Sequence, residues 1–180
     1  MKTFPAPRIV CLLAALVLSG CVVPPPAGTP VPPAVEALAG DGRATQYGRS
    51  ATEVLAAPAV RQKAEALFGA DWSGAGTKAG GLSAAAPEFF SRSAAPAMLR
   101  VGATEYVAVP GCMAQACAAR RGLLLIRADG AELLARLDDG GFTHHYGFGP
   151  GMADPLAPAH RLVIDAAWRA LERDATWPAR

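Results

Sequence analysis

Catalytic machinery is what this 180-residue chain has least of. It holds three histidines and four cysteines, and none of the short patterns that arrange such residues for chemistry. There is no His-Glu-x-x-His for a catalytic metal, no Gly-x-Ser-x-Gly for an acyl-transfer nucleophile, and no glycine-rich loop running from a strand into a helix to cradle a phosphate. His144 and His145 are adjacent on a predicted strand, so they point to opposite faces and do not form a ligand pair; His160 falls in the first turn of a predicted helix. Cys112 and Cys117 are spaced too widely for the usual redox Cys-x-x-Cys, and a structural zinc site would need a second cysteine pair that the chain lacks. Asp138 and Asp139 sit in a turn signal and read as solvated hairpin residues rather than as paired catalytic carboxylates. The sequence therefore argues against an enzyme, and no catalytic, cofactor or metal residue is assigned.

What the chain does have begins at its first residues. Lys2 and Arg8 precede an apolar run over residues 9–18 that only Cys11 interrupts, and Leu18-Ser19-Gly20-Cys21 closes it. The run is too short to span a bilayer. It resembles a bacterial lipobox, which implies that residues 1–20 are a signal peptide and that the Cys21 thiol is acylated and becomes the new N-terminus. Several acyl chains would then anchor the protein, because one alone holds only marginally. Val22 stands where lipoproteins kept at the inner membrane usually have aspartate, so the expected location is the periplasmic face of the outer membrane. Losing the leader removes two basic residues and no acid, which leaves fifteen charges of each sign. A balance of that kind excludes a nucleic-acid partner.

Residues 21–45 are expected to be the lipidated cysteine and a linker. Pro24, Pro25, Pro26, Pro30, Pro32 and Pro33 favour polyproline II, a semi-rigid spacer of about 3 Å per residue. With Cys11 discarded and Cys21 consumed, Cys112 and Cys117 remain as one pair in an oxidising compartment, and a disulfide between them is expected.

Residues 46–180 are expected to form one α+β domain. Ser50 and Glu53 have capping-box spacing, Pro58 interrupts, and a helix over 58–68 carries Val60, Ala64, Leu67 and Phe68 on one stripe. Residues 71–86 read as an irregular surface connection with Trp72 as its only large anchor. From Met98 onward, short apolar runs alternate with turns: strands at 98–101, 105–109, 122–127, 132–137 and 142–148, about five in an antiparallel sheet. A last helix over 158–173 carries Val163, Ile164, Ala167, Trp168 and Leu171 at helical spacing. Helices before and after the sheet flank it.

Between the second and third of these strands lies Cys112-Met113-Ala114-Gln115-Ala116-Cys117. As structure, a disulfide there closes a small ring worth about 2 kcal/mol in the chain-entropy model. As function, it holds Met113, Ala114, Gln115 and Ala116 as a rigid knob that loses little entropy on entering another protein's cleft. Composition alone does not choose between the two.

The stretch over residues 99–137, LRVGATEYVAVPGCMAQACAARRGLLLIRADGAELLARL, resembles the core of the inhibitor of vertebrate lysozyme family. The features shared are strand, turn, a second strand opening on Glu-x-Tyr, a Cys-x-x-x-x-Cys loop, and an apolar strand with a hairpin return. The last helix also falls where that family has one. The resemblance implies a periplasmic protein whose loop, closed by Cys112 and Cys117, plugs the active-site cleft of a lysozyme-like glycosidase. Inhibitory members carry Lys-Pro-His-Asp in the loop, the histidine meeting the target's carboxylates; here Met113, Ala114, Gln115 and Ala116 stand instead. Gln115 keeps an amide donor but brings no charge, and charge-assisted bonds are about twice as strong. Two readings follow: an outer-membrane lipoprotein that binds and inhibits a peptidoglycan-cleaving glycosidase, or a structural or accessory envelope lipoprotein that keeps the fold without inhibiting. Pairing with a second copy is left open.

Overall fold

The computed structural model describes residues 30–75, 81–152, 155–174 and 177–178. The signal peptide expected over 1–20, Cys21 and the first part of the proline-rich stretch lie outside the described residues. Among the described residues the fold is α+β, with three α-helices and an antiparallel sheet of seven strands rather than about five. The strands are β1 (Val35–Ala37), β2 (Arg92–Ser93), β3 (Ala97–Val101), β4 (Thr104–Cys112), β5 (Arg120–Arg127), β6 (Leu133–Asp139) and β7 (Phe142–Phe148). Their order is β1-β3-β4-β5-β6-β7, with β2 pairing off this path on β4.

Both faces of the sheet are covered. Along β5, Leu124 and Ile126 point into one hydrophobic cluster while Leu123 and Leu125 point into the other, the alternation a strand imposes. The first cluster packs α1 (Ala51–Ala56) and α2 (Pro58–Phe68) on Val107, Val109, Leu133, Ala135 and Leu137. The second packs α3 (Pro158–Arg173) through Ile164, Ala167, Trp168 and Leu171 on Leu99, Val101, Tyr106, Ala108 and Leu134. Such a four-residue apolar run reads as a strand buried on both sides.

Local chemistry explains where the helices begin. The Ser50 hydroxyl accepts a hydrogen bond from the Glu53 amide at 3.3 Å, and Glu53 Oε2 accepts from the Arg49 amide at 2.8 Å. Pro58 holds Ala57 extended (ψ 129°), so α1 stops and α2 starts with proline in its first turn.

Three expectations need correction. The folded part does not begin near Gln46: Val35, Glu36 and Ala37 already pair with Val101, Arg100 and Leu99, and Gly42–Thr45 form a short 3-10 turn. Val31–Arg180 is one compact unit. Next, the described parts of residues 71–86 are more than a surface connection, because Leu82 and Ala86 are fully buried. Lastly, Asp138 and Asp139 belong to β6 and not to the turn. Gly140 and Gly141 suffice for the two-residue hairpin, both at positive φ (61° and 107°) as that tight turn requires.

Gly111 and Gly122 face each other across β4 and β5. They make room for Phe90, which ends a 3-10 turn over Ala86–Phe90 lying on the sheet. A Cβ on Gly122 would stand 2.7 Å from Phe90 Cζ, and one on Gly111 would stand 2.9 Å from Phe90 Cα. Either glycine to alanine is therefore expected to cost about 1–3 kcal/mol in urea unfolding. Adding Phe90→Leu recovers part of the Gly122→Ala loss by removing the ring atoms in the way. It gives less relief to Gly111→Ala, where the backbone of Phe90 is also in contact.

Candidate functional site

The loop expected from sequence sits at one end of β4 and β5. Cys112 and Cys117 form a disulfide with their Cα atoms 4.9 Å apart. Local backbone bonds hold it and its exit: the Met113 amide donates to Arg120 O (3.0 Å), Ala116 to Met113 O (2.9 Å), and Ala119 and Arg120 to Ala116 O (2.9 and 2.8 Å). Ser91 braces it from outside, its hydroxyl accepting from the Ala114 amide at 3.1 Å and donating to Cys112 O at 3.4 Å. The ring is therefore ordered by hydrogen bonds as well as by the disulfide. The four inner residues do not project equally. Ala114 and Gln115 are exposed at the tip, Ala116 is half-buried, and Met113 packs against the α1/α2 cluster.

Cross-strand register places a polar row beside the ring. Arg92 pairs with Cys112, Cys112 with Arg121, Arg121 with Asp138, and Asp138 with Thr143. The hairpin turn joining β6 and β7 is tied to the loop exit by the Gly140 amide, which donates to Ala119 O at 3.0 Å. Phe142 follows it and is 75% exposed. A cleft of about 220 Å³ opens there, lined by Ala118, Ala119, Arg121, Asp138, Gly141, Phe142 and Thr143.

On the α3 face the charges are interlocked. Arg136 donates from Nε and Nη2 to the two oxygens of Asp138 (2.9 and 3.0 Å) and from Nη1 to Asp165 Oδ1 (2.9 Å). His145 Nε2 lies 3.0 Å from the same Asp165 oxygen. The Arg136 and Arg121 guanidinium groups stand over the Trp168 ring at 4.2 and 5.0 Å, within cation–π range. Arg121 Nη1 also reaches Glu172 at 2.8 Å. This network joins α3 to the sheet. His144 pairs across from Leu137 and His145 across from Arg136, so the two rings take opposite faces, as their adjacency implied.

On the other face Asp139 is buried, 8% exposed, and accepts from the Ser83 amide (2.6 Å), the Ser83 hydroxyl (2.7 Å) and Arg120 Nε (2.9 Å). Burial opposes its ionisation, but the hydrogen bonds from Ser83 and Arg120 outweigh it and hold the carboxyl below the usual aspartate range. A second cleft, about 490 Å³, runs by Phe68, His145, Tyr146 and Met152. Its polar groups are already spoken for, since the Tyr146 hydroxyl donates to Asp71 at 2.9 Å and burial together with that bond raises its pKa. Among the described residues no three His, Cys, Asp or Glu side chains are placed to hold a metal ion, and no helix is long and apolar enough to cross a membrane.

Sequence reasoning found the ring but missed Phe142, Asp139 and the α3 network. A stricter use of the Gly-Gly signal at 140–141 would have returned both aspartates to the strand. Compared with models of known families, with curated proteins and with solved structures, the chain matches none.

A carboxyl held below its unfolded value stabilises the protein above about pH 3.9, and that contribution is lost as pH falls through the folded value. Asp139→Asn is expected to cost about 1–3 kcal/mol at pH 7, because it weakens buried charge-assisted bonds. At pH 3 the gap to the native chain narrows. Urea midpoints at the two pH values measure this.

Proposed function

We propose that the protein is an outer-membrane lipoprotein, anchored at Cys21, whose Cys112–Cys117 ring enters the cleft of a lysozyme or another peptidoglycan-cleaving glycosidase and inhibits it. The observation that carries this reading is the state of the ring. Its ends are joined, the Met113, Ala114 and Ala116 amides are hydrogen-bonded within the protein, and of the four inner residues only Ala114 and Gln115 are exposed. A segment already held in its bound shape avoids much of the ordering cost of association. The Gln115 amide offers donors to the carboxylates that such an enzyme keeps in its cleft.

One observation favours the accessory reading. The tip carries no charge, and Met113, at the position of the resembled family's lysine, is half-buried against the α1/α2 cluster.

The test uses the purified full chain against a panel of lysozymes and lytic glycosidases acting on cell walls. Inhibition is expected, with Gln115→Asp weakening it by at least about tenfold by setting a carboxylate against carboxylates. The double change Cys112→Ala, Cys117→Ala is expected to weaken it as well, by letting the ring relax. If none of the enzymes is inhibited, or if both variants inhibit as well as the native chain, the accessory reading replaces this one.

A further inference from the structure

Two exposed arginines of α3 take no part in holding the fold together. Arg169 and Arg173 stand about one turn apart on that helix, and neither has a side-chain partner among the described residues. The acids beside them are already committed: Asp165 to Arg136, Glu172 to Arg121 and Glu36 to Arg100, while Asp174 also has a partner. Two guanidinium groups are left whose charge their neighbourhood does not cancel.

Their place is the point where the chain enters the domain. Pro32, Pro33 and Val35 share with Arg169 and Arg173 a cleft of about 330 Å³. Val31, directly before these prolines, is 85% exposed, and with Phe142 it is the large hydrophobic side chain left bare among the described residues. A bilayer surface accommodates both features, its phosphates meeting the guanidinium groups and its acyl boundary taking the apolar side chain. Reach agrees with this. The backbone from Cys21 to Pro32 can span at most about 40 Å, so a lipid on Cys21 keeps the patch within that distance of the headgroups. A patch confined in this way meets them at high effective concentration. Two arginines, each worth about fivefold at an anionic surface, then suffice to dock a domain that they could not recruit from free solution.

We infer that Val31, Arg169 and Arg173 form a docking patch for anionic phospholipid headgroups, which lays the last turns of α3 against the membrane. That a membrane lies within reach rests on the Cys21 anchor proposed above, whereas the patch's preference for anionic headgroups is a property of the domain.

The experiment uses the full chain carrying Cys21→Ser, which removes the acylation site, and sediments it with vesicles of phosphatidylethanolamine mixed with either phosphatidylglycerol or phosphatidylcholine. The residues before Cys21 are common to every arm and cancel in the ratio of the two affinities. Binding about ten- to thirtyfold tighter to the phosphatidylglycerol vesicles is expected, from the worth of two arginines. Arg169→Gln with Arg173→Gln is expected to abolish the preference, and Arg169→Lys with Arg173→Lys to keep most of it. Raising the salt from about 0.1 to about 1 M, which shortens the screening length from about 10 to about 3 Å, is expected to abolish it too. Arg49→Gln with Arg92→Gln removes two other exposed arginines and the same charge, and is expected to leave the preference intact. Equal binding to the two kinds of vesicle overturns the inference. So does a preference that the glutamines at 169 and 173 do not reduce, or one that both glutamine pairs reduce alike. The anchor is checked separately, by the mass of the Cys21 peptide in native chain recovered from its host's membranes. Acyl chains there without a headgroup preference reject the docking patch alone, and a preference with unmodified Cys21 upholds the patch and rejects the anchor.

Discussion

Leucines and isoleucine at 123–126 must be dry on both sides of the sheet, and much of the architecture follows from that demand. A strand with one wet face would tolerate helices on one side only. Here the segments before and after the sheet have to take opposite faces, α1 and α2 on one and α3 on the other. The glycines at 111 and 122 belong to the same demand. They let Phe90 lie against the sheet where β4 and β5 have no side chain of their own to fill the space. Covering both faces also leaves little open sheet surface for recognition. Polar chemistry is pushed to the ends of the central strands, where Arg120 and Arg121 open β5, Asp138 and Asp139 close β6, and the disulfide ring closes the gap between β4 and β5.

Elements governed by their own periodicity could be read from the sequence. The apolar stripes of α2 and α3 and the alternating runs of β3 to β7 announce themselves, and the proline at 58 divides two helices for a purely local reason. β1 was not legible because nothing local makes Val35–Ala37 a strand. It follows a proline-rich stretch, it is three residues long, and its place is set by pairing with β3 and by the Arg100 bridge between Glu36 and Glu105, at 2.8 and 2.9 Å. Exposed bridges of this kind add little stability each. The pairing carries the strand, and pairing is a property of two distant segments.

The same distinction divides the candidate site. The cysteine pair was legible because compartment and spacing together argue for it. The company it keeps was not. Phe142, in a strand signal, shares a face with His144 and Tyr146, and it emerges exposed because the tight Gly-Gly turn puts it at the very start of β7, beyond the reach of α2. Met113 read as part of a projecting tip, yet the alternation of β4 carries on past Cys112 and turns the next side chain inward.

The register that pairs Arg92, Cys112, Arg121, Asp138 and Thr143 has a mechanical consequence. Neighbouring strands of a sheet hold one another at hydrogen-bonding distance, so ring and cleft belong to a single stiff row rather than to two mobile loops. The bond from Gly140 to Ala119 closes that row at its outer edge. Whatever docks on the ring therefore meets the cleft at a fixed offset. A partner that fits one but not the other gains little by adjustment, because moving the ring away from the cleft means breaking β4 from β5 in the most deeply buried part of the sheet.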